Sequence, residues 1–516
     1  MDTTLRDGEQ MKNVSYPPEE KLALAKMLLQ AVGVDRVEIA SARVSKGEEA
    51  AVRRIIEWAK SEGLDGRVEI LGFVDGGKSV DWLVSQGGRV MNLLAKGSLK
   101  HCVHQLKKTR EEHVRDIRDA LAYAESRGVA CNLYLEDWSN GMLHSPEYVY
   151  FLLEQFAGSS IRRFLLPDTL GVLYPGQVAA FTSDVVKRFP GLCFDFHGHN
   201  DYGLAVANTL AAVEAGIRCV HCTVNGMGER AGNTPLDETV IGIHDFLGLS
   251  TNVDEKELFR VSQAVEAYSG CRVPFNKPIS GSNVFTQTAG IHADGDKKGN
   301  LYHTRLMPER FNRKRQYALG KLSGKSSLDY NLEKLGITLT PEQKRTVLDR
   351  IVELGDRKES ITDDDLPYIV TDVLDTPEEK RFTFRSCVIV TSMDLKPMAT
   401  IKVIVRNPED GSEQELESSA QGDGGYDAFM NALHGVAHRI AFPLPKLVDY
   451  AVSIPPGGKT DALVRCAITW RSGEALFMTK GVNSDQVMAA IEATEKMMNL
   501  TALQKGKTEG KSRPAP

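Results

Sequence analysis

The residues best suited to chemistry are a pair of histidines. His197 and His199 stand two apart in Phe196-His197-Gly198-His199-Asn200-Asp201. On an extended strand, side chains at i and i+2 project from the same face, so one cation can reach both imidazoles. Alone, such a pair is equally two polar residues at a strand–loop junction, and a metal site needs more ligands. Asp7, in Arg6-Asp7-Gly8-Glu9-Gln10, offers a carboxylate, and Asn233 an amide oxygen. That mixed imidazole and oxygen set suits Zn2+, Mn2+ or Co2+ better than a purely thiophilic metal. Arg6, beside a cation, would stabilise negative charge developing on a carbonyl oxygen. Glu136, in Tyr134-Leu135-Glu136-Asp137-Trp138, is a candidate base or base-orienter. For Arg6 and Glu136 the plain alternative is a rim salt bridge, and for Asp7 an exposed turn aspartate.

These residues are far apart in the chain, so the fold must gather them. Over residues 1–275, short apolar strands alternate with amphipathic helical segments. The strands are expected to end near Leu5, Ala40, Leu71, Leu94, Leu133–Glu136, Leu166, His197–His199 and Val224. Leu22, Ala25, Leu29 and Val32 form one helical stripe, and Val178, Phe181 and Val185 another. Pro17-Pro18 and Pro175 fall at helix starts, where a missing N–H costs little. Eight strand–helix units in about 250 residues predict an α/β fold, a (β/α)8 TIM barrel. A doubly wound open sheet is the rival. In a closed barrel the first strand adjoins the eighth and lies one strand from the seventh, which brings Asp7 towards the histidines. That first strand has only about four residues before Arg6. Either the chain starts late or this stave is poorly anchored, and Asp7 would then be held loosely.

Residues 276–380 turn polar and basic (Arg310, Arg313, Lys314, Arg315) and then helical with clustered acids (Asp363, Asp364, Asp365), which reads as linker subdomains. Residues 381–505 read as a separate regulatory domain with an internal βββα repeat. One helix is opened by Gly422-Asp423-Gly424-Gly425-Tyr426-Asp427 and the other by Gly481-Val482-Asn483-Ser484-Asp485. Residues 506–516 are rich in Gly, Lys, Ser and Pro, and a disordered tail is expected. The formal net charge of −6 over 516 residues gives no basic face for nucleic acid. No apolar run reaches the roughly 18 residues of a membrane span, and the N-terminus lacks a signal-peptide pattern, so a cytoplasmic enzyme is expected.

Cys219 and Cys222 have C-x-x-C spacing within a strand-like run. The odd offset points them to opposite faces, so buried, reduced thiols are expected. Gly226-Met227-Gly228-Glu229-Arg230-Ala231-Gly232 mimics a dinucleotide fingerprint, but it follows the last strand instead of the first; a phosphate cradle there stays open. Gly320-Lys321-Leu322-Ser323-Gly324-Lys325-Ser326 mimics a P-loop with a glycine spacing too short for one, and reads as a turn.

Three motifs in order carry a resemblance: Leu5-Arg6-Asp7-Gly8-Glu9-Gln10, His197-Gly198-His199-Asn200-Asp201 and Gly226-Met227-Gly228-Glu229-Arg230-Ala231-Gly232-Asn233. Together they resemble the 2-isopropylmalate, homocitrate and citramalate synthases. The resemblance covers nearly the whole chain, including the two-repeat C-terminal domain of the amino-acid-regulated members. It implies a metal-dependent acyltransferase of the Claisen type. Acetyl-CoA, the co-substrate, adds to the carbonyl of a 2-oxo acid, and the thioester is then hydrolysed. It implies a divalent metal (Zn, Mn, Mg or Co) on Asp7, His197 and His199, with Asn233 as a fourth candidate. That metal would chelate the keto acid through its carbonyl and carboxylate oxygens. It gives Arg6 the new alkoxide to stabilise and Thr169 the substrate carboxylate to hold. Glu136 matches the family's catalytic glutamate. His292 matches a histidine that the linker of one subunit lends to its partner's site, which implies a homodimer; Tyr302 lies in the same segment. Which group removes the acetyl proton stays open.

Leu71, Leu94 and Tyr134 are placed in the keto-acid pocket by the same resemblance. Three bulky side chains leave room for a methyl group and crowd an isopropyl group; otherwise they are barrel-packing residues. Ala40 to Gly47 and Leu133 to Gly141 also look like the citramalate branch. Pyruvate is therefore expected ahead of 2-oxoisovalerate, the substrate of the alternative, a 2-isopropylmalate synthase. Gly424, Gly425, Tyr426 and Asp427 are expected to hold an amino-acid inhibitor by its carboxylate at a helix start. Isoleucine would go with pyruvate and leucine with 2-oxoisovalerate. Pro455 to Asp461 is the equivalent loop of the second repeat, and tight turns are the plain alternative for both. A lyase of the same superfamily would carry a cysteine between Asn225 and Pro235, and there is none; a biotin carboxylase would need Ala-Met-Lys-Met, also missing. An amino-acid sensor without catalysis would have no use for intact Arg6, Asp7, His197 and His199.

Overall fold

The computed structural model describes residues 1–299, 301–335, 337–356, 366, 369–370, 380–407, 410–453, 464–473 and 475–510, in two compact units. The first unit comprises Met1–Thr286 and His303–Gln316. Its strands are β1 (Val37–Ser41), β2 (Val68–Phe73), β3 (Val90–Lys96), β4 (Ala130–Glu136), β5 (Phe164–Asp168), β6 (Phe194–Gly198) and β7 (Cys219–His221). They pair side by side in chain order, all parallel. Parallel strands covered on both faces need buried side chains throughout, and β5 and β6 are buried along their whole length.

The sheet is closed by the N-terminal residues. Asp2 makes parallel bridges to Val37 on β1 and to Cys222 just beyond β7. The Thr3 N–H donates to the Cys222 carbonyl at 2.8 Å, and the Glu38 N–H to the Asp2 carbonyl at 2.9 Å. This is an eighth stave, and the fold is a TIM barrel with no open edge. The stave is as short as expected, yet it is not loose. Asp2, Thr3, Thr4 and Leu5 are all buried. The Thr4 hydroxyl accepts from the Val224 N–H at 2.8 Å. The Asp7 N–H is held by the Thr3 carbonyl at 2.8 Å, and Asp7 is only 2% exposed.

Local signals account for the surrounding helices. Pro18 starts the helix Pro18–Lys26, which continues as a wider turn through Met27–Val32 and buries Leu29 and Val32. Thr109 and Glu112 form a reciprocal cap on Arg110–Ser126. Pro175 opens Pro175–Arg188, with Val178 and Val185 buried. The barrel unit also runs past residue 275. Ile279, Phe285 and Phe311 are buried in its core. Arg310 pairs with Glu255 and Asp245, and the Arg313 guanidinium lies 4.3 Å from the Phe259 ring centre. The basic residues of this stretch fasten it to the barrel.

The second unit comprises Gln287–Tyr302 and Tyr317–Pro516. Helices Lys325–Leu335 and Pro341–Asp356 share a small core of Leu328, Leu332, Val347 and Ile351. The P-loop lookalike is a turn, with the Gly320 N–H donating to Ser323 Oγ at 2.8 Å. Strands Phe382–Val390, Met398–Arg406 and Glu413–Gln421 are followed by helix Gly425–Arg439. Strands Lys446–Ser453, Val464–Ser472 and Ala475–Asn483 are followed by helix Gln486–Gly510. The two βββα repeats bury one core, with Phe382, Ile401 and Phe429 packed with Ile468, Trp470 and Met497. The last helix continues through Gly506 to Gly510, into the stretch expected to be disordered; no proline interrupts it before Pro514. Asp363 to Asp365 and Pro455 to Asp461 lie outside the described residues.

Candidate metal centre and active site

β6 carries His197, and His199 follows at its end, bridged antiparallel to Asn233. Asp7, His197 and His199 are all buried and offer ligand atoms within 4.8 Å of one another. Asp7 Oδ2 is 3.0 Å from His197 Nε2, and the two Nε2 atoms are 3.4 Å apart. Burial opposes a charge on Asp7, but the Arg6 guanidinium and the His197 contact outweigh it and hold the carboxyl well below the usual range. Burial, helped by His197, pushes His199 down to about 4. A carboxylate and neutral imidazoles are the forms that ligate metals. Asn233 Nδ2 donates to the Met227 carbonyl at 2.9 Å, while its buried Oδ1 has no hydrogen-bond partner. A buried oxygen left this way is costly, and a divalent cation would satisfy it. The residues present fit such an ion.

Asp195, Cys219 and His221 also lie at ligand-like spacing. There the positive charge is already supplied. Arg36 Nη2 is 2.7 Å from Asp195 Oδ2 and 2.6 Å from Cys219 Sγ. Cys222 is buried in the apolar core, so the C-x-x-C pair is divided between two environments.

Arg6 is the hub of the site. Its Nε donates to Glu38 Oε2 at 2.5 Å, its Nη1 lies 3.3 Å from Asp7 Oδ2, and its Nη2 donates to the Tyr134 hydroxyl at 3.3 Å. From Glu38, side-chain hydrogen bonds and ion pairs run through Asn92, Asn132, Glu69, Arg36, Asp195 and His221 back to Tyr134. The ring is closed, and Glu38 and Glu69 within it are fully buried. No linear motif marks these residues. Their signal is a polar side chain at an inward position of an otherwise apolar strand, as at Glu38, Glu69, Asn92, Asn132 and Asp195.

Burial keeps two of the histidines neutral, His221 down to about 3 and His199 down to about 4. An unfolded chain protonates histidine near pH 6.5, so between about 6.5 and about 4 the unfolded state binds more protons. Stability of the metal-free protein should therefore fall as pH drops through that window. Urea midpoints at pH 7 and pH 4.5 measure it, and equal midpoints would contradict it.

Thr169 follows β5, and its Oγ1 accepts the Asp137 N–H at 2.9 Å. The hydroxyl proton is then available to a ligand. Glu136 ends β4 and is paired with Lys96, its register partner on β3. It sits in the rim salt bridge that was its plain alternative, whereas Asp7 and Arg6 lie inside. Leu71, Tyr134 and Leu165, with Leu94 against them, form an apolar cluster separate from the main core. Tyr134 meets His197 edge-on, with ring centres 6.0 Å apart. Leu165 is the member that no motif indicated.

Four backbone N–H groups of the loop from Gly226 to Asn233 are engaged locally. The N–H groups of Gly226, Met227, Gly232 and Asn233 are spent on carbonyls of Thr223, Val224, Glu229 and Gly226. The loop also sets Asn233. A Cβ on Gly228, whose φ is +150°, would stand 2.2 Å from Asn233 Nδ2. Gly228→Ala should thus weaken Zn2+ binding by about 10-fold or more. Calorimetric titration of chelator-treated protein measures this, and an unchanged affinity would remove Asn233 from the ligand set.

Residues 1–265 match the HMGL-like family, 279–359 the homocitrate synthase post-HMGL domain-like family, and 360–502 the LeuA allosteric (dimerisation) domain. The chain belongs to the HMGL-like family. Among its relatives, the (R)-citramalate synthase of Methanocaldococcus jannaschii is 33% identical over 503 residues, covering 97% of this chain and 98% of that one. The 2-isopropylmalate synthase of the same organism is 33% identical over 501 residues, covering 95% and 92%. The HMG-CoA lyase of Bacillus subtilis superposes with a TM-score of 0.45 at 22% identity, over 53% of this chain and 94% of that one.

The remaining candidate residues of this HMGL-like chain lie in the second unit. The His292 and Tyr302 rings are in contact, tilted by 38° with centres 4.2 Å apart. Gly424 precedes helix Gly425–Arg439. The Tyr426 hydroxyl is 2.7 Å from Thr494 Oγ1, and its ring packs on Tyr450. Asp427 Oδ2 accepts the Asp423 N–H at 2.8 Å. Tyr426 thus links the two repeats, and Asp427 shapes the turn before the helix. Among the described residues no helix is long and apolar enough to cross a membrane.

Proposed function

We propose that the chain condenses acetyl-CoA with pyruvate and hydrolyses the thioester, giving citramalate as the first step of a pyruvate-derived route to isoleucine. One observation carries this reading. Leu71, Leu94, Tyr134 and Leu165 cluster apart from the main core, with Tyr134 tied to Arg6 and edge-on to His197. A 2-oxo acid held at Asp7, His197 and His199 would put its side chain among these large groups. A methyl fits and an isopropyl is crowded. The full-length likeness to a citramalate synthase supports the reading. The equal likeness to a 2-isopropylmalate synthase favours a second one, with 2-oxoisovalerate as substrate.

Asp7, His197, His199 and Asn233 would hold a divalent metal (Zn, Mn, Mg or Co), which when bound supplies Lewis acidity and a template for the keto acid. Arg6 spends Nε on Glu38 and keeps further N–H groups for the oxygen that becomes the alkoxide. Thr169 donates its hydroxyl proton to the substrate carboxylate. Glu136, fixed by Lys96, serves as base or base-orienter for the acetyl methyl group. His292 and Tyr302 act from a partner subunit of a homodimer. Isoleucine binds at Gly424, Gly425, Tyr426 and Asp427 to inhibit a cytoplasmic enzyme.

Release of free thiol from acetyl-CoA, followed against pyruvate, 2-oxobutyrate, 2-oxoisovalerate and 2-oxoglutarate, tests the reading. The expected kcat/KM is highest for pyruvate, by about 10-fold or more over 2-oxoisovalerate. A maximum at 2-oxoisovalerate would replace it with the 2-isopropylmalate reaction. Retained metal binding with no thiol release would leave an amino-acid sensor.

A further inference from the structure

We propose that His221 is a positioning residue that sets keto-acid specificity through the Tyr134 hydroxyl; this rests on the pyruvate reading above. The Tyr134 oxygen lies 3.0 Å from His221 Nδ1 and 3.3 Å from Arg6 Nη2. Asp195 Oδ2 lies 3.2 Å from His221 Nε2. An ionised carboxylate only accepts, so Nε2 carries the imidazole proton and Nδ1 accepts from the Tyr134 hydroxyl. The Tyr134 oxygen then accepts from Arg6. The phenol is gripped at its tip by an acceptor on one side and a donor on the other.

His221 has both nitrogens engaged and is 1% exposed. It acts on a substrate only through what it holds. Its own support is firm, because Arg36 Nη2 reaches the same Asp195 oxygen at 2.7 Å. Tyr134 is the largest side chain of the cluster with Leu71, Leu94 and Leu165. A tyrosine held by packing alone can turn aside and admit a longer keto acid. One anchored at its hydroxyl cannot do so without leaving His221 Nδ1 and Arg6 Nη2 unpaired in a buried place, which is costly. The size limit of the pocket is then enforced by hydrogen bonds as well as by shape.

The test compares kcat/KM for pyruvate, 2-oxobutyrate and 2-oxoisovalerate in the full-length, metal-loaded protein. His221→Phe keeps a ring and removes the acceptor, while His221→Asn returns an acceptor near the Nδ1 position. In His221→Phe the pyruvate preference should fall about 10-fold, chiefly through KM, and His221→Asn should recover part of it. Tyr134→Phe should show the same loss, and adding His221→Phe to it should change the ratio no further. A merely structural role would lower kcat for every keto acid alike and leave the ratio untouched. A wild-type ratio in His221→Phe, or additive effects in the double variant, would overturn the proposal. Should His221→Phe fail to fold, a wild-type ratio in Tyr134→Phe would overturn it alone. A wild-type protein that releases no thiol with any keto acid refutes the pyruvate reading itself, and the proposal with it, before any variant is made.

Discussion

His197→Ala loses metal-dependent turnover: thiol release from acetyl-CoA and pyruvate falls by at least about 100-fold, and metal recovered after dialysis falls with it. The reason is geometric. Asp7, His197 and His199 meet within 4.8 Å, and His197 is the member in contact with both others. Alanine leaves Asp7, His199 and the amide oxygen of Asn233, one imidazole short of the set, and even a lost supporting hydrogen bond around such a site costs about 10- to 100-fold. The fold should survive, because the imidazole is not part of the ring that joins Arg6 to Tyr134. A variant that keeps most of its turnover would remove His197 from the ligand set.

Arg6→Met should damage chemistry and stability together. Loss of a donor aimed at a developing oxyanion costs about 100- to 1,000-fold in kcat. Loss of the partner of a buried carboxylate costs about 3–5 kcal/mol, and Glu38 is fully buried with Arg6 as its cation. The two effects separate in a second variant. Adding Glu38→Gln removes the stranded charge and should restore much of the stability with no gain in turnover. Urea unfolding and initial rates read the two quantities. An Arg6→Met protein as stable as wild type would contradict the ion-pair argument, and a double variant that regains activity would contradict the oxyanion argument.

Much of this site was legible in the sequence, because its parts sit at strand ends, where local pattern is strongest. The i, i+2 histidines on a strand, the Arg6-Asp7 pair after the first stave and Asn233 after the last are placed by period and order alone. The fold class follows from eight repeats of one unit. The ring through Glu38, Asn92, Asn132, Glu69 and Asp195 was not legible. Its members are single polar residues in apolar strands, and each partner comes from a different strand, so no local window holds the signal. The anchoring of the first stave was misjudged for a related reason. Its length is local, but the hydrogen bonds that hold it come from residues 36–38 and 222. The basic stretch around Arg310 and Arg313 reads as part of the linker subdomains, and its acidic and aromatic partners in the preceding helices are not visible in any local window.

The closing stave also orders events in time. Thr3 and its partner Cys222 are separated by 219 residues. Contacts of that span form late, because their loop-closure entropy must be met before they contribute. Arg6 and Asp7 follow the stave that pairs with Val37 and Cys222, so they are fixed beside His197 and His199 only when the chain has folded as far as Cys222. A partly folded barrel therefore cannot bring Asp7 to His197 and His199, and metal capture by these residues would be a readout of completed folding.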